Sequence, residues 1–281
     1  ERARDLSVEA GARIEMSTRV DTIKWDATGA TSVVAHRGAY QVTTPAAAVI
    51  SSIPLPELAR ALDPPPPDHV VAATRRLRHR DFLTVALVVP LSASFPDNWI
   101  YIHSPDVKVG RVQNFGSWSP YLVKEGRTCL GLEYFVNEGD EVWAMDDDDL
   151  AELAARELAE LGLVEVGQVE AAYVVRMPKA YPVYDEGYAN AVEVIRQWMA
   201  DNIPNLSPVG RNGMHKYNNQ DHSMMTAMLV VENLLLGTEH DIWAVNVEED
   251  YHESRSTNSV PRPRSSTGRD APVLPRPSGS L

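Results

Sequence analysis

The segment Met224 to Leu236, apolar except at Thr226, Glu232 and Asn233, limits the possible folds of this chain more than any other stretch. Met224, Met228, Val231 and Leu235 recur at helical spacing, Met225 and Leu229 widen the stripe, and Gly237 stands where a left-handed C-cap belongs. A helix apolar nearly all round is expected to pack inside a domain. The preceding loop, Gly210 to Ser223, is then held at an inner surface, with Asn219 or Asp221 capping the helix. Such a helix start offers N–H groups and positive dipole to an electron-rich group.

Within that loop, Gly210-Arg211, then Tyr217, then Asp221 opening the apolar helix, resembles the C-terminal flavin-contacting motif of one FAD-dependent superfamily. That superfamily holds amine oxidases, protoporphyrinogen oxidases and UDP-galactopyranose mutases. The resemblance implies FAD as cofactor, with Gly210, Arg211, Tyr217, Asp221, His222 and Ser223 at its binding site. It covers roughly Val8 to Gly237. Gly11-Ala12-Arg13-Ile14 with Thr18-Arg19-Val20 resembles the segment whose strand valine meets the FAD adenine, which implies Val20 as a further contact. By position on the family's path back toward the flavin, Arg176, Tyr181 and Tyr184 are implied as substrate-side candidates, while the catalytic residue stays unassigned. The amine oxidase branch implies an amine substrate and hydride transfer to flavin; the mutase branch implies a nucleotide sugar. A plain loop capping a core helix is the competing reading of Gly210 to Ser223.

Taken in order, the chain predicts an α+β protein: part of an FAD/NAD(P)-binding Rossmann-like domain, plus an antiparallel-sheet substrate domain. Arg13 to Val20 reads as strand. Val20 to Trp25, Thr31 to His36 and Tyr40 to Val42 continue as a β-meander, and Ala46 to Ser52 as a return strand. Residues 1–53 are thus expected to be the late part of the FAD-binding domain, 54–180 the substrate-binding domain and 181–240 the return to the flavin. A disordered tail is expected over 241–281, its Ser-, Arg- and Pro-rich composition beginning near Ser254. In the middle, Phe82 to Val89, Trp99 to His103, Val109 to Asn114 and Thr128 to Val136 are β-branched or aromatic runs that predict an antiparallel sheet. Trp99, Tyr101 and Tyr134 are available on its two faces. Glu170 to Arg176 reads as strand and Met177 to Tyr184 as a Pro-broken crossover.

Asp146-Asp147-Asp148-Asp149 precedes leucines at helical spacing, so capping and dipole complementarity explain it and no metal site is expected. The net charge of −13 disfavours nucleic acid and anionic membranes as partners. The single Cys129 rules out an intrachain disulfide and reads as a small buried residue. No apolar run reaches membrane-spanning length, and the expected setting is cytoplasmic. The partner expected is a small molecule; the sequence does not indicate an oligomeric state.

The family needs an early G-x-G-x-x-G turn so that backbone approaches the pyrophosphate at a helix start. No such motif occurs here. The expectation is therefore the C-terminal portion of a longer flavoprotein, with a non-catalytic remnant of the fold as the alternative.

Overall fold

The computed structural model describes residues 2–246. They divide into two compact units, Arg78–Val183 and the segments on either side of it. In chain order the first unit opens with α1 (Arg2–Glu9), β1 (Arg19–Asp26), β2 (Gly29–Arg37), β3 (Tyr40–Pro45), β4 (Val49–Ser51), α2 (Leu55–Arg60), β5 (Leu62–Asp63) and α3 (Asp68–Thr74). The second unit holds β6 (His79–Pro90), β7 (Trp99–Tyr101), β8 (Arg111–Asn114), α4 (Phe115–Trp118), β9 (Arg127–Val136), α5 (Glu141–Ala144), α6 (Asp147–Glu160) and β10 (Ala171–Pro182). The chain then returns through α7 (Tyr188–Asn202), β11 (Leu206–Pro208), α8 (Gly210–Gly213) and α9 (Gln220–Leu236). Mixed helices and sheets agree with the α+β class.

In the first unit β3-β2-β1-β5 form one sheet and β11 pairs with β4 in another. The meander is antiparallel, whereas β1 with β5 and β4 with β11 run parallel. The expected strand from Arg13 begins only at Arg19; the residues before it are exposed, and Ser17 turns through φ 55°. Ile23, Leu55, Leu58, Leu62, Val70, Ile195 and Met199 close the core of this unit. Residues 54–77, expected with the substrate-binding domain, pack here because α2 and α3 turn their apolar positions onto α7 and β1.

The second unit is a five-stranded antiparallel sheet in the order β10-β6-β9-β8-β7, and the four β-branched and aromatic runs expected to form such a sheet supply β6, β7, β8 and β9. Along β6, residues alternate between buried and half-buried, so one face is core. Leu150, Ala154 and Leu158 of α6 cover that face, meeting Leu83, Val85, Leu87, Leu130, Leu132 and Tyr134. Tyr134 is therefore a core residue rather than a ligand-facing one. The aspartates before α6 form no side-chain cap: Asp146 is the N-cap without such a bond, and Asp147 to Asp149 occupy the first turn, where the helix dipole favours them. The expected break at Met177 is absent. β10 continues to Pro182 through a bulge between Met177 and Tyr181, where Lys179 takes φ 56° and its N–H donates to Asp81 Oδ1 at 2.7 Å.

His79 starts β6 half-buried, and burial lowers its pKa from the ordinary histidine value, with Asp81 opposing more weakly. A histidine favoured neutral in the fold takes up protons on unfolding, so its contribution is lost as pH falls below about 6.5 toward the lower folded value. The urea midpoint should therefore decline over that window, and His79→Gln should flatten the decline. An unchanged slope in the variant would remove His79 from the pH response.

Two expectations for the C-terminal region need correction. The apolar helix α9 is not enclosed by the described residues: Thr226, Leu229 and Val230 are buried, but Met224, Met228, Val231, Leu234, Leu235 and Leu236 are exposed. Residues 241–246, placed in the disordered tail, are ordered: Ile242–Ala244 form a 3-10 turn and Val245 is fully buried. Lys216 holds this stretch, its Nζ donating to Trp243 O and Val245 O at 2.8 and 2.6 Å. The rest of the expected tail lies outside the described residues.

Candidate functional site: the glycine–arginine loop

β4 and β11 are parallel, so their carboxyl ends emerge side by side, the position where open parallel sheets place ligands. From β11 the chain enters the short α8 through Val209, whose N–H donates to Ser51 O at 2.9 Å. Gly213 presses against the end of β4. A Cβ there would lie 2.8 Å from Ser51 O and 3.3 Å from Ser52 Cα, so the backbones can approach this closely only with glycine.

Gly210 takes φ 75°, the left-handed region that glycine enters without strain, and its N–H donates to Thr226 Oγ1 at 3.1 Å. Thr226 in turn donates to Ser223 O at 2.8 Å, so one buried hydroxyl ties α8 to α9. Arg211 Nε donates to Asn218 O at 2.7 Å, and its guanidinium lies 4.7 Å from the centre of the Tyr217 ring. Asn246 donates to Tyr217 O at 3.0 Å. The Tyr217 N–H donates to Tyr184 Oη at 2.5 Å, and the Tyr184 ring stacks on Tyr188 at 4.3 Å between centres.

At the head of α9 Asn219 is the N-cap: its side chain accepts from the backbone N–H of His222, and His222 Nδ1 accepts from the Asn219 N–H at 3.3 Å. Asp221 is exposed in the first turn and Ser223 Oγ donates to Asn219 O at 2.9 Å. Asn219 rather than Asp221 is thus the cap.

Gly210, Arg211, Tyr217, Asp221, His222 and Ser223 fall in one loop and helix start, joined by Tyr184 from the turn before α7. Val20 lies in β1 opposite Ala35 and packs on the core of the first unit. Arg176 is committed within the second unit: it donates to Trp143 O at 3.1 Å, Met145 O at 2.5 Å and Asp147 at 2.5 Å, which pins the turn between α5 and α6. Tyr181 joins Phe82 and Phe135 in an aromatic cluster on the other face of that sheet. Sequence reasoning missed Thr226, Asn218 and Asn246. A lone threonine inside an apolar helix was a readable signal for the first; the other two act through contacts the sequence does not reveal.

The residues fit a bound flavin. The loop offers a glycine-hinged backbone, a half-buried arginine at its edge and a helix start whose dipole favours electron density. Among the described residues no group of three or more His, Cys, Asp or Glu gathers as a metal site, and no helix is long and apolar enough to cross a membrane.

The sequence matches the family described as flavin containing amine oxidoreductase over residues 2–248. Among solved structures, a reduced UDP-galactopyranose mutase is similar at 20% identity and TM-score 0.67, covering 80% of this chain and 48% of the other. A triple mutant of putrescine oxidase, redesigned in its cofactor binding, is similar at 15% identity and TM-score 0.52, covering 73% of this chain and 45% of the other. The chain therefore spans about half the length of these structures, and the likeness is one of fold. A search of curated proteins returned no match.

Proposed function

The chain belongs to the flavin-containing amine oxidoreductase family, whose cofactor is FAD, and from that premise we propose that it is the C-terminal portion of an FAD-dependent oxidoreductase acting on a small amine. The carrying observation is the Gly210 to Ser223 loop, locked over the carboxyl ends of β4 and β11 with the α9 N-terminus beside it. In this reading Arg211 binds the cofactor through a charge-assisted hydrogen bond, Tyr217 shields that arginine, and the first-turn N–H groups of α9 stabilise negative charge on the ring. Val20 is the proposed adenine-side contact, with Asp221, His222 and Ser223 around the flavin. When bound, the flavin supplies the hydride acceptor for oxidation of a C–N bond. Tyr184 orients the loop through the Tyr217 N–H, and Tyr181 is proposed on the substrate side. Arg176, with its three bonds to the α5–α6 turn, is better read as a tether than as a substrate ligand.

The pyrophosphate-binding turn is proposed to lie outside these 281 residues, supported by the missing glycine-rich motif and the exposed apolar face of α9. A cytoplasmic setting agrees with the acidic charge and single cysteine. A second reading, a mutase-like flavoenzyme on a nucleotide sugar, is favoured by the higher fold likeness to the mutase than to the oxidase.

FAD titration tests the proposal. The chain alone is expected to be colourless or weakly yellow, and a stoichiometric flavin spectrum would refute the missing-half reading. Joined to a dinucleotide-binding half, Arg211→Ala should raise the FAD Kd about ten- to a hundredfold, the equivalent of roughly 1.5–3 kcal/mol for one charge-assisted bond. Equal dissociation constants for both proteins would return the loop to a plain helix cap.

A further inference from the structure

The residues after α9 run from the carboxyl end of that helix back to the glycine–arginine loop that precedes it. Beyond Gly237 the chain is fastened to the last turn of α9. Asn233 Oδ1 accepts from the Thr238 hydroxyl at 2.9 Å and the His240 N–H at 2.8 Å, and Asn233 Nδ2 donates to His240 O at 2.9 Å. His240 Nε2 adds a contact to Glu232 at 3.0 Å. On α7, the Arg196 guanidinium lies 5.2 Å from the centre of the Trp243 ring and 4.0 Å from Asp241, whose side chain caps the turn Ile242–Ala244. Residues 238–246 are thus anchored on two helices before they reach the loop.

At the far end they grip the loop from both directions. Lys216 Nζ donates to Trp243 O at 2.8 Å and Val245 O at 2.6 Å, while Asn246 Nδ2 donates to Tyr217 O at 3.0 Å and Asn218 Oδ1 at 3.2 Å. Tyr217 and Asn218 are also the residues on which Arg211 rests. Asn218 O accepts from Arg211 Nε at 2.7 Å, and the Tyr217 ring lies 4.7 Å from the guanidinium. Asn218 is 1% exposed and Val245 fully buried, so this junction is packed rather than laid on the surface. It also carries left-handed backbone at two residues other than glycine, His215 at φ 48° and Asn246 at φ 55°. Such backbone persists only where the surrounding contacts hold it.

We propose that residues 238–246 act as a strap that keeps the cofactor loop in its binding form, with Lys216 and Asn246 as the positioning residues. The proposal rests on the reading of this loop as the flavin contact. Neither residue is a cofactor ligand; both act through Tyr217 and Asn218. With the strap released, the direction of the Asn218 carbonyl is no longer fixed, and Arg211 loses the acceptor that aims its guanidinium. The loop then spends part of its time in forms that do not present Arg211, and affinity for FAD falls by that fraction.

Hydrogen exchange of the whole 281-residue chain is the first test. Asn246→Gly deletes the amide at a position where glycine holds φ 55° without strain, and Lys216→Met removes the charged donor while keeping an apolar stem. Each should speed exchange of the Tyr217 and Asn218 N–H groups about tenfold or more, the loss of two hydrogen bonds from the closed loop. The Ile23 N–H, bonded to Ala61 O in the first unit, should change little. Lys216→Arg keeps a charged donor and should restore most of the loop's protection. The second test is FAD titration of the protein joined to its dinucleotide-binding half, where Asn246→Gly and Lys216→Met together should raise the Kd about tenfold. Unchanged loop exchange in both single variants would overturn the proposal, and so would equal acceleration at Ile23, the sign of general unfolding. An unchanged Kd in the double variant would overturn it whatever Arg211→Ala does. A raised Kd there with no effect of Arg211→Ala would instead remove the arginine contact from the cofactor reading and support the strap.

Discussion

Replacing Glu157 by alanine is expected to lower the stability of the chain by about 3–5 kcal/mol, because the side chain is a buried acceptor for three donors. Its carboxylate accepts from the Lys108 N–H at 2.6 Å, the Val109 N–H at 3.2 Å and the Tyr134 hydroxyl at 2.8 Å. Glu157 lies on α6 and is only 4% exposed, so water does not readily replace it. Bonds to a charged acceptor contribute roughly 1.5–3 kcal/mol each, and release of the buried carboxylate from its desolvation cost offsets part of that sum. The same carboxylate, after burial itself, raises the Tyr134 pKa, so the phenol remains a donor across the ordinary pH range. Glu157→Gln keeps an acceptor but turns one oxygen into a donor, and should fall between wild type and alanine. Urea unfolding at constant m measures both. A loss below about 1 kcal/mol for the alanine variant would mean that the loop before β8 satisfies its own N–H groups.

The second large effect is expected at the junction of the meander with the β4–β11 pair. Asn205 Oδ1 accepts from the Ala30 N–H at 2.6 Å, and its Nδ2 donates to Ala30 O and Ala47 O, both at 2.9 Å. Its own carbonyl accepts from the Val49 N–H at 2.8 Å. Asn205→Ala leaves the main-chain groups without their side-chain partner and should cost about 2–4 kcal/mol. Gly29 stands beside this side chain at φ 112°, and a Cβ on it would fall 2.2 Å from Asn205 Oδ1. Gly29→Ala should therefore cost about 3–5 kcal/mol, through backbone strain and through displacement of the asparagine. The two changes share a cause, so the double variant should be less destabilised than their sum by about 1–3 kcal/mol. Strict additivity would show that the alanine methyl is accommodated without moving Asn205.

The organisation of the chain was largely readable in its residues. The β-branched and aromatic runs from Phe82 to Val89 and from Thr128 to Val136 indicated strands of an antiparallel sheet, and they pair as β6 and β9. Leucines at helical spacing after the aspartate run indicated a helix, which the fold then lays on that sheet, and Gly237 closes α9 at φ 67° where a left-handed cap was expected. The order Gly210, Arg211, Tyr217, Asp221 sufficed for the family, because a hinge glycine, an arginine and a helix start are local features that a linear motif can encode.

What the sequence could not decide depends on which surfaces meet. Tyr134 and Trp99 are both aromatic residues of strands, but register turns Tyr134 into the core and leaves Trp99 on the opposite face. Arg176 and Arg111 are likewise both strand arginines; pairing points the first at the α5–α6 turn and sets the second on a buried glutamate between rings. The stripe of α9 specified a helix that needs apolar company, whereas the fold of residues 2–246 covers only its Thr226, Leu229 and Val230 side. Local spacing and composition set the elements, since hydrogen bonding and hydrophobic period act between near neighbours. Strand register and helix docking set the partners, since a carboxylate such as Glu157 or an amide such as Asn205 finds its donors tens of residues away, and only the closed fold brings them within 3 Å or so.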